Sequence, residues 1–200
     1  MNYRLISENN QKLSIIDRVL NNRGIPIGEA YHYLNTTDQD ILNPLLLDNM
    51  HEGAKMLMSH IHNNDKIFIQ VDEDCDGYTS AALLLNYLNT LFPYYTQNNI
   101  RYRTHDCKAH GIVLDVIPKD TKLVIIPDAG SNEVDKHTVL KELGMDILIL
   151  DHHNVEVDVV DACLINNQAC DYSNKALSGV GVVYKFCSYI DSLLGVNNAP

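Results

Sequence analysis

Residues 71–79, Val-Asp-Glu-Asp-Cys-Asp-Gly-Tyr-Thr, place Asp72, Asp74 and Asp76 on alternate positions directly after the apolar run Ile67-Phe68-Ile69-Gln70-Val71 and directly before a helical pattern. The arrangement recurs downstream. Leu123-Val124-Ile125-Ile126-Pro127 runs into Asp128, and Ile147-Leu148-Ile149-Leu150 runs into Asp151-His152-His153. Two carboxylates ~4 Å apart repel by about 4 kcal/mol at an effective dielectric near 20, so several converging aspartates need cations. Carboxylate oxygens mixed with imidazole nitrogens suit Mn²⁺ or Mg²⁺, with Zn²⁺ or Fe²⁺ as alternatives, and a set without thiolates argues against a structural zinc site. Two such ions about 3.5–4 Å apart clamp the attacking and leaving oxygens of a phosphoryl displacement.

Each piece has a plainer reading. Asp72-x-Asp74-x-Asp76-Gly77 alone resembles a calcium loop, but here it follows a strand, and Tyr78-Thr79-Ser80-Ala81-Ala82 supplies no further acidic residue. Asp128-Ala129-Gly130-Ser131-Asn132 alone reads as a helix N-cap, and Asp151-His152-His153 alone as a surface turn. Three successive strand ends carrying the same chemistry outweigh those readings. Cys75, inside the first loop, reads as a spacer rather than a ligand.

The elements that must position these residues follow from periodicity. From Lys66 onward, short apolar strands alternate with amphipathic helices, the pattern of an α/β fold with a parallel sheet flanked by helices. Strands are predicted at 67–71, 101–104, 123–127, 147–150 and 162–165. Helices are predicted at 80–91, burying Ala81, Leu84, Leu85, Leu88 and Leu91, at 133–143, burying Val139, Leu140 and Leu143, and at 180–194. In open sheets of this class the ligand crevice lies beyond the carboxyl ends of the strands, where all seven Asp and His residues fall. Residues 1–65 read as a small N-terminal helical segment, with an apolar stripe from Leu13, Ile15, Ile16, Val19 and Leu20 and a further helix from Met50 to Ile61 carrying Met50, Ala54, Leu57, Met58 and Ile61. The expected division is therefore a helical cap over 1–65 and a catalytic domain over 66–200.

Two weaker features stand outside the cluster. Ser178-Gly179-Val180-Gly181 at a helix start offers small residues and backbone N–H groups as a phosphate cradle, with close helix–sheet packing as the plainer account. His110-Gly111, in the loop after the second strand, is a candidate substrate contact. His51, His60, His62, His105 and His137 read as surface or packing residues.

Composition bounds the rest. With 200 residues, 46% of them hydrophobic, the chain can bury one sizeable core. It has no run of about 18 apolar residues and no apolar leader after Met1, so no membrane is expected and a cytoplasmic setting is. Five dispersed cysteines, 75, 107, 163, 170 and 187, form no Cys-x-x-Cys pair and read as reduced thiols. A net charge of −11 argues against general affinity for nucleic acid, although bound cations would offset the part that lies in the aspartate cluster.

At this point the residues resemble the DHH phosphoesterases, and within them the RecJ-type exonucleases of single-stranded DNA. VDEDCDGYTSAALL is similar to the family's first motif, PDAG to its second, DHH to its third, and ALSGVGVVYKF to a glycine-containing helix start. NNRGI and NPLLLDNMHEGAKML upstream also resemble RecJ, so the likeness spans nearly the whole chain. The resemblance implies a two-metal, Mn²⁺- or Mg²⁺-dependent phosphodiesterase removing nucleotides from the 5′ end of single-stranded DNA, with a single-strand-binding or other repair protein as a further partner. It implies Asp74, Asp76, Asp128 and His152 as principal metal ligands, Asp72 and His153 completing the surroundings of the second metal with His153 at the scissile phosphate, and Asp151 orienting its neighbours. Ser178, Gly179, Gly181 and His110 stay the candidate phosphate or substrate contacts on the reading of the residues themselves.

Two departures stand out: His110 occupies a position that is often aromatic in RecJ relatives, and the 200 residues stop before a further aspartate motif and a strand-closing second domain. The 200-residue chain is accordingly expected to fold but to cleave poorly by itself. Competing readings are a phosphodiesterase of short oligonucleotides or cyclic dinucleotides, a pyrophosphatase, or a catalytically incomplete binding module. The small-substrate relatives usually carry a histidine where this chain has Gln70, which favours the nuclease.

Overall fold

A computed structural model describes residues 13–105 and 110–199, and Cys107 lies outside the described residues. The chain divides into two compact units, one up to Leu42 and one from Asn43 onward. In the first, Ser14 caps α1 (Ile15–Asn22) by accepting from the Asp17 amide, and α2 (Ala30–Leu34) follows a short 3₁₀ turn. The apolar stripe expected to be buried is largely open: Leu20 is buried, whereas Ile15, Ile16 and Val19 are exposed.

The second unit is built on a five-stranded, all-parallel sheet in the order β2-β1-β3-β4-β5. The strands are β1 (Lys66–Val71), β2 (Ile100–Thr104), β3 (Thr121–Pro127), β4 (Asp146–Asp151) and β5 (Cys163–Asn166). β1, β3 and β4 are buried along nearly their whole length, as near-continuous Ile/Val/Leu runs require of strands covered on both faces. On one face Phe68, Val124, Ile126, Ile147, Ile149 and Leu164 form a core with Leu140 of α6 (Val134–Glu142). The opposite face carries α3 (Met50–His62), α4 (Cys75–Leu91) and α7 (Gly179–Leu194). Gly53 of α3 lies against Leu148 and Ile165, so this helix, read from sequence as part of the N-terminal segment, packs on the sheet.

Three features depart from the sequence reading. α4 begins at Cys75, five residues earlier than its apolar face announces, because Asp74 caps it by accepting the Gly77 N–H at 2.9 Å. A short helix, α5 (Pro93–Asn99), precedes β2 and was not anticipated. In α6 Leu140 is buried, but Val139 and the cap residue Leu143 are exposed, while His137 takes the inner position with its Nε2 hydrogen-bonded to the Gly130 carbonyl at 2.9 Å.

The strand order reverses direction between β1 and β3, and the crevice outside that switch point is where sheets of this kind bind ligands. Asp72 leaves β1 and Asp128 leaves β3 on the two sides of it. Among the described residues, no helix is long and apolar enough to cross a membrane.

Candidate metal centre

The first-motif aspartates reach the switch point by different routes. Asp72, at the end of β1, is buried and accepts from the Gly111 amide at 3.2 Å. Asp74 and Asp76 sit at the positive end of α4, one as its cap and one in its first turn, a position that favours negative charge. α4 comes this close only because residue 77 lacks a side chain, since a Cβ there would stand 2.7 Å from the Asp72 Cβ.

Asp128 is the centre of the arrangement. It follows β3 in a left-handed conformation, φ 67°, that non-glycine residues adopt at some cost and that recurs at functional sites. Its side chain is buried, and its Oδ1 makes no hydrogen bond. His152 Nε2 stands 3.2 Å from that oxygen and 3.6 Å from Asp76 Oδ2, as atoms converging on a common third would. Burial first, then the charges of Asp76, Asp74, Asp151 and Asp72, push the Asp128 carboxyl up to about 8.

Two groups of three ligand-type side chains each bring one donor atom within 4.8 Å of the others: Asp72, Asp74 and Asp128, and Asp128, His152 and His153. Asp128 belongs to both. The buried oxygen without a hydrogen bond, flanked by acidic and imidazole donors, fits a divalent cation.

Asp151 is equally buried but fully engaged. Its Oδ2 accepts from the Ser131 N–H and Oγ–H at 3.2 and 2.6 Å, and its Oδ1 accepts from the His152 and His153 amides at 2.7 and 3.2 Å. His153 Nδ1 lies 2.7 Å from the same oxygen. Burial alone would raise this carboxyl, yet the bonds from Ser131 and His153 outweigh it and hold it below the usual carboxylate range. An ionised Asp151 keeps the proton on His153 Nδ1 and leaves Nε2 as the ring's free donor atom.

The structure changes the reading of the helix start at 178–181. The Gly179 and Val180 amides donate to Asp76 at 2.7 and 2.9 Å, and the Gly181 amide donates to Ser178 Oγ, which caps α7. These groups hold Asp76 and the helix end; they are not free for a phosphate. Gly179 is required for contact, because a Cβ there would stand 2.1 Å from Asp128 Oδ1.

His110 lies against the cluster, with Nδ1 3.2 Å from Asp72 Oδ2 and Nε2 3.1 Å from Glu73 Oε1. Its hydrogen bond with Asp72, and then the charges of Asp72, Glu73 and Asp74, raise its pKa. Cys75 is exposed and belongs to neither ligand group.

Sequence reasoning passed over three residues. His105, read as surface or packing, has a side chain only 3% exposed with Nε2 3.5 Å from Asp72 Oδ1. It directly follows β2, so the strand-end rule that found the aspartates would have found it. Ser131 carries Asp151, and Asn166, the last residue of β5, donates to Ser131 Oγ and to the His153 carbonyl at 3.0 and 2.9 Å.

Residues 66–198 match the model of the DHH family, N-terminal domain. The chain belongs to the DHH family. As a DHH protein it is 41% identical over 200 residues to the putative SPbeta prophage-derived single-strand DNA-specific exonuclease YorK of Bacillus subtilis (strain 168), covering all of this chain and 34% of that protein. It is 30% identical over 178 residues to the single-stranded-DNA-specific exonuclease RecJ of the same strain, covering 86% of this chain and 22% of that one. The chain thus spans about a third or less of the length of these relatives. Among solved structures, exonuclease RecJ bound to manganese superposes with a TM-score of 0.69 at 19% identity, over 79% of this chain and 41% of that one. RecJ in complex with Mn²⁺ from Thermus thermophilus gives 0.63 at 20% identity, over 80% and 23%. These likenesses show the shared DHH-domain fold.

Proposed function

We propose that the acidic cluster holds two divalent cations, Mn²⁺ or Mg²⁺, and serves hydrolysis of phosphodiester bonds in single-stranded DNA from the 5′ end. The observation that carries this reading is the buried Asp128 carboxylate, which has an oxygen without a hydrogen bond, is common to two sets of three ligands and is flanked by acidic neighbours that raise its pKa. The names of the relatives supply the substrate class. When bound, a pair of such ions supplies Lewis-acid polarisation of the phosphoryl group and a water of lowered pKa.

The chain's own residues do the rest. Asp128 spans both ligand sets, Asp72 and Asp74 serve one, and His152 and His153 serve the other. Asp76 is a further ligand, aimed by the two N–H groups at the start of α7. Asp151, held ionised, fixes the tautomer of His153 so that Nε2 faces ligand or scissile phosphate. His110, which is exposed and proton-attracting, stands at the mouth of the site to meet a phosphate once cations take over its carboxylate partners. The acidic walls would repel a phosphate backbone without those cations, which makes metal loading a precondition of substrate binding.

The test is metal-dependent release of mononucleotides from single strands labelled at either end, read as the ratio of the protein to its Asp128→Asn variant. Release from the 5′ end that needs Mn²⁺ and falls at least about 100-fold in the variant is expected. Equal breakdown by both proteins overturns the assignment of the site, and release from the 3′ end overturns the polarity.

A further inference from the structure

Beside the acidic cluster lies a cleft of about 530 Å³ between α4, α5 and the edge strand β2. One end is formed by Val71, Tyr78 and Thr104, at the carboxyl ends of β1 and β2 and in the first turn of α4. Val71 immediately precedes Asp72, Tyr78 stands two residues after Asp76 and Thr104 precedes His105, so this end of the cleft neighbours the cluster along the chain without including its ligands. Its walls have a definite chemistry. No charged side chain lines it; the surface is small and apolar along α4, with the amides of Asn86, Asn89 and Gln97 among it. Tyr78 and Tyr102 also line it and are 47% and 61% exposed, large rings left in water by the fold.

We propose that this cleft is a nucleobase subsite, receiving a base of the strand whose phosphate lies at the acidic cluster; the inference rests on the reading of that cluster as the phosphodiester site. A phosphate has no cation to meet in this cleft, whereas a neutral, planar, partly apolar group matches it. Exposed aromatic rings are stacking platforms for any base, and side-chain amides both donate and accept, so they meet base edges without selecting one. The volume falls in the range of small-molecule sites, about 300–1,000 Å³. A base site beside the cluster would let a strongly acidic protein hold a single strand by stacking, which does not need basic residues.

The experiment uses deoxyadenosine, which is neutral and carries no phosphate, titrated into the metal-free protein in chelator and followed by amide chemical shifts. Saturable shifts centred on Tyr78, Asn86, Asn89 and Tyr102 are expected. Tyr102→Ala should weaken that binding roughly tenfold, the scale of one lost base–ring stack. Because Tyr102 is exposed, its variant should melt with the parent and bind Mn²⁺ as tightly in calorimetry. Absence of saturable binding, shifts centred elsewhere, or equal binding by Tyr102→Ala and by a second variant, Asn89→Leu, removes the base site while leaving the metal reading intact. Failure of the parent to bind Mn²⁺, with the deoxyadenosine shifts present as described, instead sinks the metal reading and leaves the cleft as a base site.

Discussion

Asp128 follows β3 and Asp151 ends the neighbouring parallel strand β4; both lie on the same sheet edge and are each 1% exposed, yet they solve the problem of a buried carboxylate in opposite ways. Asp151 is surrounded by donors from Ser131, His152 and His153 and stays ionised. Asp128 faces other acids and the His152 ring, leaves an oxygen without a hydrogen bond and holds its proton up to about pH 8. A carboxylate satisfied by its own chain is a structural part, while one left unsatisfied against like charges is a place for a cation. Type and burial are the same for both; the neighbours decide.

The sharpest way to break this comparison is to exchange the two losses. Asp128→Ala should weaken Mn²⁺ binding by at least about 100-fold in calorimetry, since it removes the donor common to both ligand sets and leaves two donors in each. Asp151→Asn should keep most of that affinity but lower the melting temperature, because an amide cannot accept from so many donors; a loss of about 3 kcal/mol is expected. Unchanged Mn²⁺ affinity in Asp128→Ala would falsify the central role given to this residue.

The next test is pH. In metal-free protein the raised Asp128 carboxyl binds a proton that the unfolded chain has released, so its contribution to stability is full below about pH 4 and is lost as pH climbs to about 8. Asp151, with its lowered value, has the opposite sign and loses its contribution only as pH falls into the acid range. Urea melts of Asp128→Asn should therefore exceed the parent by roughly 2 kcal/mol at pH 8 and match it near pH 4. Asparagine tolerates the left-handed backbone, so the comparison is not confounded by strain.

Gly179→Ala asks whether contact between α7 and β3 shapes the site. With its new methyl inside the space of the Asp128 carboxylate, a cost of about 1–3 kcal/mol in stability is expected, together with weaker Mn²⁺ binding. The smallest effect separates two roles of Asp74. Asp74→Asn keeps a cap for α4 and relieves charge, so metal-free stability should hold or rise, whereas Asp74→Ala should cost about 1 kcal/mol through the lost cap. A melt in which Asp74→Asn falls as far as Asp74→Ala would show that its charge, not its cap, stabilises the metal-free fold.

Much of this molecule is legible in the chain because parallel strands buried on both faces leave apolar runs that end abruptly. β1, β3 and β4 lie within two residues of where those runs place them, and the Asp and His residues follow their ends, whereas the edge strand β2, Ile-Arg-Tyr-Arg-Thr, is largely exposed and has no such run. Helix starts were harder. The first turn of α4 is written in Asp74 and Gly77 rather than in apolar spacing, and α5 is too short and polar to show a period.

The sequence by itself determined the sheet, the residue types at its edge and the demand of clustered aspartates for cations. Only the tertiary structure decided which aspartate was satisfied and which was not. Ser131, Asn166, His105 and the amides of Gly179 and Val180 come from other strand ends and another helix, and their distances to the aspartates depend on how those elements pack. A carboxylate's charge state is fixed by donors and charges within a few ångströms, whatever their separation along the chain.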